Sequence, residues 1–597
     1  MRLSILAATA LVSAMSIAAF ARTSPALRAP IAAPITAATP PMGWNPYNAF
    51  DLAYSEADVI AQAELMVSLG LAGLGYRYVN VDDGWWLRRD DGTIAVRTSM
   101  YPSARMPDGR TSLRPFVDRL HKMGLKAGIY TDIGRNACSQ RWRPGARNLP
   151  EGTVLQREIG TYGHHGADAA LLFSDWGFDF VKIDACGAAD FGPEVEEVKR
   201  GQFRAFPKLI IREQPEVSDA RALAREYASF AQAAKRASRT GDPVISICAW
   251  GQADVNDWGH RYGQMWRTSF DINPTWKAML FNFDSAASRA LFAGPGRWND
   301  PDMLEVGNGE FDDRHLVAAR AHMSLWAVIA APLILGNDLR RASPAMLDVI
   351  RNRAVIAINQ DPAGNQGVVI SRDGDAQVLA KALAGRGRKA VALVNRGDAP
   401  LTVSATLADI GLAAAGLRVR DVWTGRPVAT AGGRLTARLA PRETMLLLVD
   451  GRPAETGVMR PADIPARFDV ADVGYKAPDR SPERQWVLAQ IGYRPYGAPL
   501  FYAGRHDRNG LGVTAGSSVR VRLNREFSRV TLDPRVENGM GRYAIRGDGR
   551  LLASGQATTS GRPITVTVRG VREIELVAPA ATKALTEFAW HDVRFVR

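Results

Sequence analysis

The sequence predicts a multidomain protein, with a parallel (β/α)8 barrel followed by an antiparallel β-sandwich and then a second C-terminal β-sandwich module. Three observations predict it. At 597 residues the chain exceeds one ordinary domain. From Thr39 to about Ile350 short apolar runs alternate with stretches of helical period. Beyond residue 351 the helical period stops, and strands of alternating character follow at short intervals.

Taken in order, residues 1–21 read as a secretory signal. Arg2 precedes an apolar stretch that ends in Ala19-Phe20-Ala21, small residues at the cleavage positions. Ser4, Thr9, Ser13 and Ser16 make this stretch too polar for a good membrane span. The expectation is an exported protein, periplasmic or extracellular, with no membrane association after signal removal. Residues 22–38 are Pro/Ala-rich and read as a linker. The barrel, 39–350, carries eight candidate strands: 41–47, 76–85, 124–134, 179–187, 243–251, 265–272, 297–304 and 331–338. SEADVIAQAELMVSLGL, after the first, spaces its apolar residues three to four apart and reads as a helix. An open doubly wound sheet would alternate likewise, but no glycine-rich phosphate turn follows the first strand. Residues 351–452 read as the first sandwich, with strands such as KAVALVN and ETMLLLV. Residues 453–466, with Pro453, Pro461 and Pro465, read as a linker, and 467–597 as the last module. There Val519, Val521 and Leu523 alternate with Arg520 and Arg522, one face buried and one wet.

The formal net charge of +14 raises the question of nucleic acid. Acidic residues are interspersed nearly everywhere, and no dense basic run or nucleic-acid module occurs, so no nucleic-acid partner is expected. Cys138, Cys186 and Cys248 are the only cysteines. An oxidising compartment permits one disulfide and one odd thiol, and no histidine cluster joins them into a metal site.

Chemistry is concentrated at the ends of the barrel strands: Trp44, Asp82, Asp83, Tyr130, Asp132, Lys182, Asp184, Trp250, Arg267, Asp271, Asp300 and Asp302. Barrel enzymes hold their sites at the C-terminal strand ends, and so many carboxylates, cations and aromatics there fit a sugar pocket. Any single Asp would equally serve as a turn or cap residue. Retaining glycoside hydrolysis needs two carboxyl groups about 5–5.5 Å apart. Alternation points Lys182 and Asp184 to one side, so that the ammonium can hold Asp184 ionised. Asp271 follows Arg267 by four, at the end of another strand. Either pair read alone is as readily a structural ion pair.

The runs TPPMGWNPYNAF (39–50), VNVDDGWW (79–86), GLKAGIYTDIG (124–134), DFVKIDACG (179–187) and AGPGRWNDPDML (293–304) resemble the signature segments of family-27 glycoside hydrolases, in that family's order. The family contains α-galactosidases (melibiases) and α-N-acetylgalactosaminidases. RDVWTG at 420–425 is similar to its C-terminal domain, and the last module resembles an NPCBM-type carbohydrate-binding domain. The resemblance implies Asp184 as nucleophile and Asp271 as acid/base. It implies Trp44, Asp82, Asp83, Tyr130, Lys182, Arg267 and Asp302 around a galactose, with Cys248, Trp250 and Met303 against the ring. It implies a Cys138–Cys186 disulfide beside the nucleophile, and neither metal nor other cofactor. The partners expected are an α-galactoside substrate and a glycan ligand for the C-terminal module, for which a spacing role is the alternative. Competing activities are α-N-acetylgalactosaminidase, β-L-arabinopyranosidase and an isomalto-dextranase-like reaction, and, more remotely, non-catalytic glycan binding. Departures from the family's pattern are Ala249, where many relatives carry Glu, a long charged insertion within 188–235, and the extension RWRPGARNLPEG after Cys138. On a barrel both segments would decorate the active-site face and cover the pocket or shape its plus subsites.

Overall fold

The computed structural model describes residues 35–238, 241–471, 486–582 and 585–597. Residues 1–21, read above as a secretory signal, and all but the last four residues of the 22–38 segment lie outside them.

Eight parallel strands form the barrel: β1 (Met42–Trp44), β2 (Tyr78–Asn80), β3 (Lys126–Asp132), β4 (Phe180–Asp184), β5 (Val244–Cys248), β6 (Met265–Arg267), β7 (Trp298–Asp300) and β8 (Leu333–Leu335). Neighbours in sequence are neighbours in the sheet, and β8 pairs with β1. A parallel bridge from Leu304 to Leu335, with the Leu304 amide donating to Ile334 at 2.8 Å, closes the circle. Each strand falls inside one of the eight apolar runs. The helices between them follow the sequence's own signals. Glu56–Ser68 starts at Ser55, whose hydroxyl accepts from the Asp58 amide while Asp58 bonds back to the Ser55 amide. Its buried residues Val59, Ile60, Ala63 and Met66 face the barrel at the spacing a helix requires. Ala220–Ala237 is likewise capped by Asp219, and Trp276–Ala287 by Thr275.

The first sandwich pairs a five-stranded antiparallel sheet with the two strands Leu401–Thr406 and Arg434–Leu439. It is pinned to the barrel by polar anchors. Arg396 forms two hydrogen bonds to Asp284, at 2.8 and 2.7 Å, and the Trp276 indole donates to the Arg396 carbonyl at 2.9 Å. Lys381 is buried and donates to the carbonyls of Ala327 and Ile358 at 3.2 and 2.6 Å. Burial pushes its ammonium down to about 7.

The C-terminal module stacks a six-stranded antiparallel sheet on a five-stranded one. Val519, Val521 and Leu523 are buried while Arg520 and Arg522 are exposed. The 453–466 segment is more structured than a linker. Pro461 and Pro465 begin short 3-10 turns, where a missing N–H costs nothing. Val458–Met459 pairs with Val596 and Phe595 of the last strand, which fastens the segment to the module. Among the described residues, no helix is long and apolar enough to cross a membrane.

Candidate active site

Two rows of side chains arise from strand register. Pairing places Tyr130 beside Lys182 and Lys182 beside Ser246; two residues further on, Asp132 stands beside Asp184 and Asp184 beside Cys248. Alternation gives these residues the barrel axis, and leaves Val181, Ile183 and Ile247, fully buried, to the surrounding helices.

Asp184 ends β4, is 6% exposed, and accepts from the Ala185 amide at 3.0 Å. Burial pushes its carboxyl up to about 6, aided by Asp271 and Asp82 and opposed by Lys182. Lys182 favours the ionised form of Asp184, as the sequence suggests, but not as its direct ion-pair partner. The ammonium makes its ion pair with Asp82, 3.3 Å away, and its field at Asp184 is outweighed by desolvation. Lys182 also lies 5.3 Å from the Tyr130 ring centre and 5.9 Å from that of Tyr47.

Asp271 stands in the loop after β6 rather than on the strand, which ends at Arg267. The Arg267 guanidinium bridges two carboxylates, Asp271 at 3.1 Å and Asp302 at 2.8 Å, and lies 3.8 Å from the Cys248 sulfur. The Asp271 side chain is 70% exposed. The pocket wall still desolvates it, an upward pull that Arg267, Lys182 and Arg212 outweigh, so its carboxyl is held below the usual range. Asp302, at φ +84°, also accepts from the amides of Ile272 and Met303 at 2.9 and 2.8 Å. Met303 follows it, 7% exposed.

Across the barrel, Asp82 accepts from Asn45 at 2.7 Å as well as from Lys182. Asp83 accepts from both the amide and the hydroxyl of Ser139, at 2.8 and 2.7 Å, and burial pushes it up to about 7. One lone pair on each of its oxygens is thus used to hold the loop that starts at Cys138. Trp44 is fully buried, its indole donating to the Asn337 carbonyl at 2.8 Å. The Tyr130 hydroxyl is buried without a hydrogen-bond partner among the described residues. Trp250 takes the left-handed conformation at φ +50°, at a cost of about 1–2 kcal/mol. The Arg212 guanidinium lies over its ring, 3.9 Å from the centre.

Cys138 and Cys186 form a disulfide with their Cα atoms 5.0 Å apart, and Cys248 is a buried free thiol. The two loops it joins meet at Gly134 and Gly187. Asp132 accepts from both amides, at 2.7 and 3.0 Å. A Cβ on Gly187 would lie 2.4 Å from the Asn136 carbonyl oxygen and 2.8 Å from the Gly134 Cα. Gly187→Ala should lower the stability of the barrel by roughly 1–3 kcal/mol. Urea unfolding followed by tryptophan fluorescence measures this, and an unchanged midpoint would show that the loops separate freely.

The strand ends and the loops that leave them thus carry Trp44, Asp82, Asp83, Tyr130, Lys182, Asp184, Cys248, Arg267, Asp271, Asp302 and Met303 to one mouth of the barrel, with Trp250 beside them. Sequence reasoning missed Asn45, Ser139 and Arg212. Asn45 adjoins Trp44 and Ser139 adjoins Cys138, so both had a neighbour as signal. Arg212 lies in the 188–235 insertion, where no periodicity marks it.

A closed parallel barrel with carboxylates, cations and aromatic walls gathered at its C-terminal mouth is of the class that houses glycoside hydrolases. The family model described as Alpha galactosidase A matches residues 39–202 and 212–361. The Alpha galactosidase C-terminal beta sandwich domain matches 373–449, and the NPCBM/NEW2 domain 452–596. Alpha-galactosidase 2 of Arabidopsis thaliana is 34% identical over 421 residues, 70% of this chain and 91% of that protein. Alpha-galactosidase A of Cellvibrio japonicus is 34% identical over 61% of this chain and 77% of its own. The crystal structure of alpha-galactosidase I from Mortierella vinacea superposes with a TM-score of 0.57 at 25% identity, covering 70% of this chain and 99% of that one. The chain belongs to the α-galactosidase (melibiase) family of glycoside hydrolases, family 27, with an NPCBM domain at its C-terminus.

Proposed function

We propose that the protein is a retaining exo-glycoside hydrolase that releases terminal α-linked D-galactose from oligosaccharides or polysaccharide side chains. The observation that carries this reading is the pairing of Asp184 and Asp271 within one cation-braced pocket, with Asp82 and Lys182 beside Trp44 as wall and hydroxyl partners. In the first step the Asp184 carboxylate attacks the anomeric carbon from the face opposite the leaving group. The C–O bond to the aglycone breaks, and Asp271 delivers a proton to the departing oxygen. In the second step Asp271 takes a proton from water, whose oxygen displaces Asp184 and restores the α configuration. Arg267 steadies Asp271 through the change of charge and is itself balanced by Asp302. Trp44 backs the pocket from within the barrel, while Asp82 and Lys182 take the sugar's hydroxyls. Asp83, Tyr130, Cys248, Trp250 and Met303 complete the surround.

The residue pattern of 1–21 supports export to the periplasm or medium, and we assign the C-terminal module a glycan ligand. Tyr496 and Phe501, 47% and 63% exposed, support a stacking surface there.

The test is hydrolysis of four nitrophenyl glycosides by the purified protein: α-galactoside, α-N-acetylgalactosaminide, β-L-arabinopyranoside and α-glucoside. Turnover led by the α-galactoside is the expected result. Preference for another glycoside would move the substrate and keep the barrel chemistry. Binding without turnover on all four and on galactosyl oligosaccharides would sink the enzymatic reading.

A further inference from the structure

Beside the pocket runs an open groove of about 750 Å³, a volume ordinary for a small-molecule site. One wall is the turn after β1, with Asp51, Leu52 and Tyr54. The other is the extension after Cys138, with Trp142, Arg143 and Asn148. The walls are latched together. Arg143 pairs with Asp51 at 2.9 Å, and the Asn148 amide donates to the Leu52 carbonyl at 2.7 Å.

The walls of the groove pack against the residues that carry the galactose pocket at two points. The Tyr54 hydroxyl donates to the Asp82 carbonyl at 2.6 Å. Gly84, next to Asp83, approaches Asn148 so closely that a Cβ there would sit 3.2 Å from the Asn148 Cβ. The hydrogen bond to Asp51 above all, and the field of Asp271 to a smaller degree, strengthen the Arg143 guanidinium's hold on its proton.

Trp142 is the exposed aromatic of this groove, at 51%. An exposed indole beside a sugar pocket offers a flat apolar face on which a further sugar ring can stack. Its indole N–H donates to Asp190 at 3.0 Å, and the same carboxylate accepts two hydrogen bonds from Arg212, at 2.8 and 2.7 Å. Arg212 in turn lies on Trp250. A chain of contacts therefore fixes the ring of Trp142 relative to the wall of the sugar pocket. Trp142 comes from the segment after Cys138, Asp190 and Arg212 from the long loop region after β4, and Trp250 from the end of β5. The model of the family passes over residues 203–211, immediately before Arg212.

We propose that this groove is an aglycone-binding site, in which the sugar units beyond the scissile bond stack on Trp142. Its occupant is a neutral oligosaccharide. The arginines nearest the ring are each matched by a carboxylate, Arg141 by Glu197, Arg143 by Asp51 and Arg212 by Asp190, which leaves Arg147 as the groove's unmatched cation among the described residues and a set of hydrogen-bond donors suited to hydroxyls. Arg212 is a positioning residue that acts through Asp190.

The inference rests on the galactosidase reading, and α-galactosyl fluoride separates the two, because its leaving group fills none of the groove. If neither the fluoride nor an α-galactosyl manno-oligosaccharide is turned over by the unaltered protein, the activity reading fails. If both are, the test is the ratio of their kcat/KM values. Trp142→Ala should shift that ratio about tenfold toward the fluoride, mainly through KM of the oligosaccharide. Trp142→Phe keeps an aromatic face, loses the N–H to Asp190, and should recover most of the shift. Equal losses on both substrates, an unmoved ratio, or a Phe variant no better than Ala would each overturn the proposal.

Discussion

Asp184→Ala should lower turnover of any α-galactoside by a factor on the order of 10⁴–10⁶, the loss usual when a covalent nucleophile is removed. The fold should survive it. Among the described residues the Asp184 carboxylate accepts one hydrogen bond, from the Ala185 amide, and sits among Asp82, Asp83 and Asp132, whose mutual repulsion its removal relieves. Loss of that like charge lowers the carboxyls of Asp83 and Asp132, both of which its field raises. The space left by the carboxylate opens toward the anomeric carbon, so a small anion can occupy it. Azide should therefore restore turnover of a substrate with a good leaving group, and the sugar should be recovered as the β-azide, because azide attacks from the face that Asp184 held. Product anomer, read by proton NMR, is the deciding measurement. A variant that is inactive with azide, or that gives the α-azide, would assign the nucleophile elsewhere.

The parts of this site legible in the sequence are those that strand alternation governs. Lys182 and Asp184 are two residues apart on an apolar run, so a strand must point both inward, and the register then aligns them with Tyr130, Asp132, Ser246 and Cys248. The eight barrel strands were legible for the same reason, since parallel strands covered on both faces read as apolar runs. What was not legible depends on residues far apart in the chain. Lys182 is near Asp184 in sequence but pairs with Asp82, a hundred residues away, and the Asp184 carboxyl is set first by its burial, which only the closed barrel supplies. Asp271 reads as a strand end, yet β6 stops at Arg267 and the side chain hangs in a loop beside the mouth. The 453–466 segment reads as a linker from its prolines, and only its pairing with residues 595–596 makes it part of a sheet. Arg212 lies on Trp250 because Asp190 holds it there, a contact that no local pattern encodes.

Asp271→Ala should cost roughly 10²–10⁴ in kcat/KM on an oligosaccharide, whose leaving oxygen needs a proton, and far less on a nitrophenyl galactoside, whose does not. The pH profile gives this prediction a sign. In the free protein the carboxyl of Asp271 is held low by Arg267 and Lys182 against its desolvation, while burial pushes Asp184 up to about 6. The charge of Asp271 strengthens the hold of Asp184 on its proton, so the pair loses its two protons in separate steps and carries one between them. The reacting form needs that single proton on Asp271 and the negative charge on Asp184. Below the lower step both are protonated and no nucleophile is left. Above about 6 the last proton departs, and kcat/KM on an oligosaccharide should fall about tenfold per pH unit. Removing Asp271 deletes the acid and also the negative charge that raises Asp184, so the Asp184 carboxyl shifts downward. On the nitrophenyl substrate the variant should then show no decline above 6. Azide adds a second sign, since here it meets an intact glycosyl-enzyme on Asp184 and should yield the α-azide, the anomer opposite to that from Asp184→Ala. A basic limb that persists unchanged in Asp271→Ala would mean that another group, and not this carboxyl, protonates the leaving oxygen.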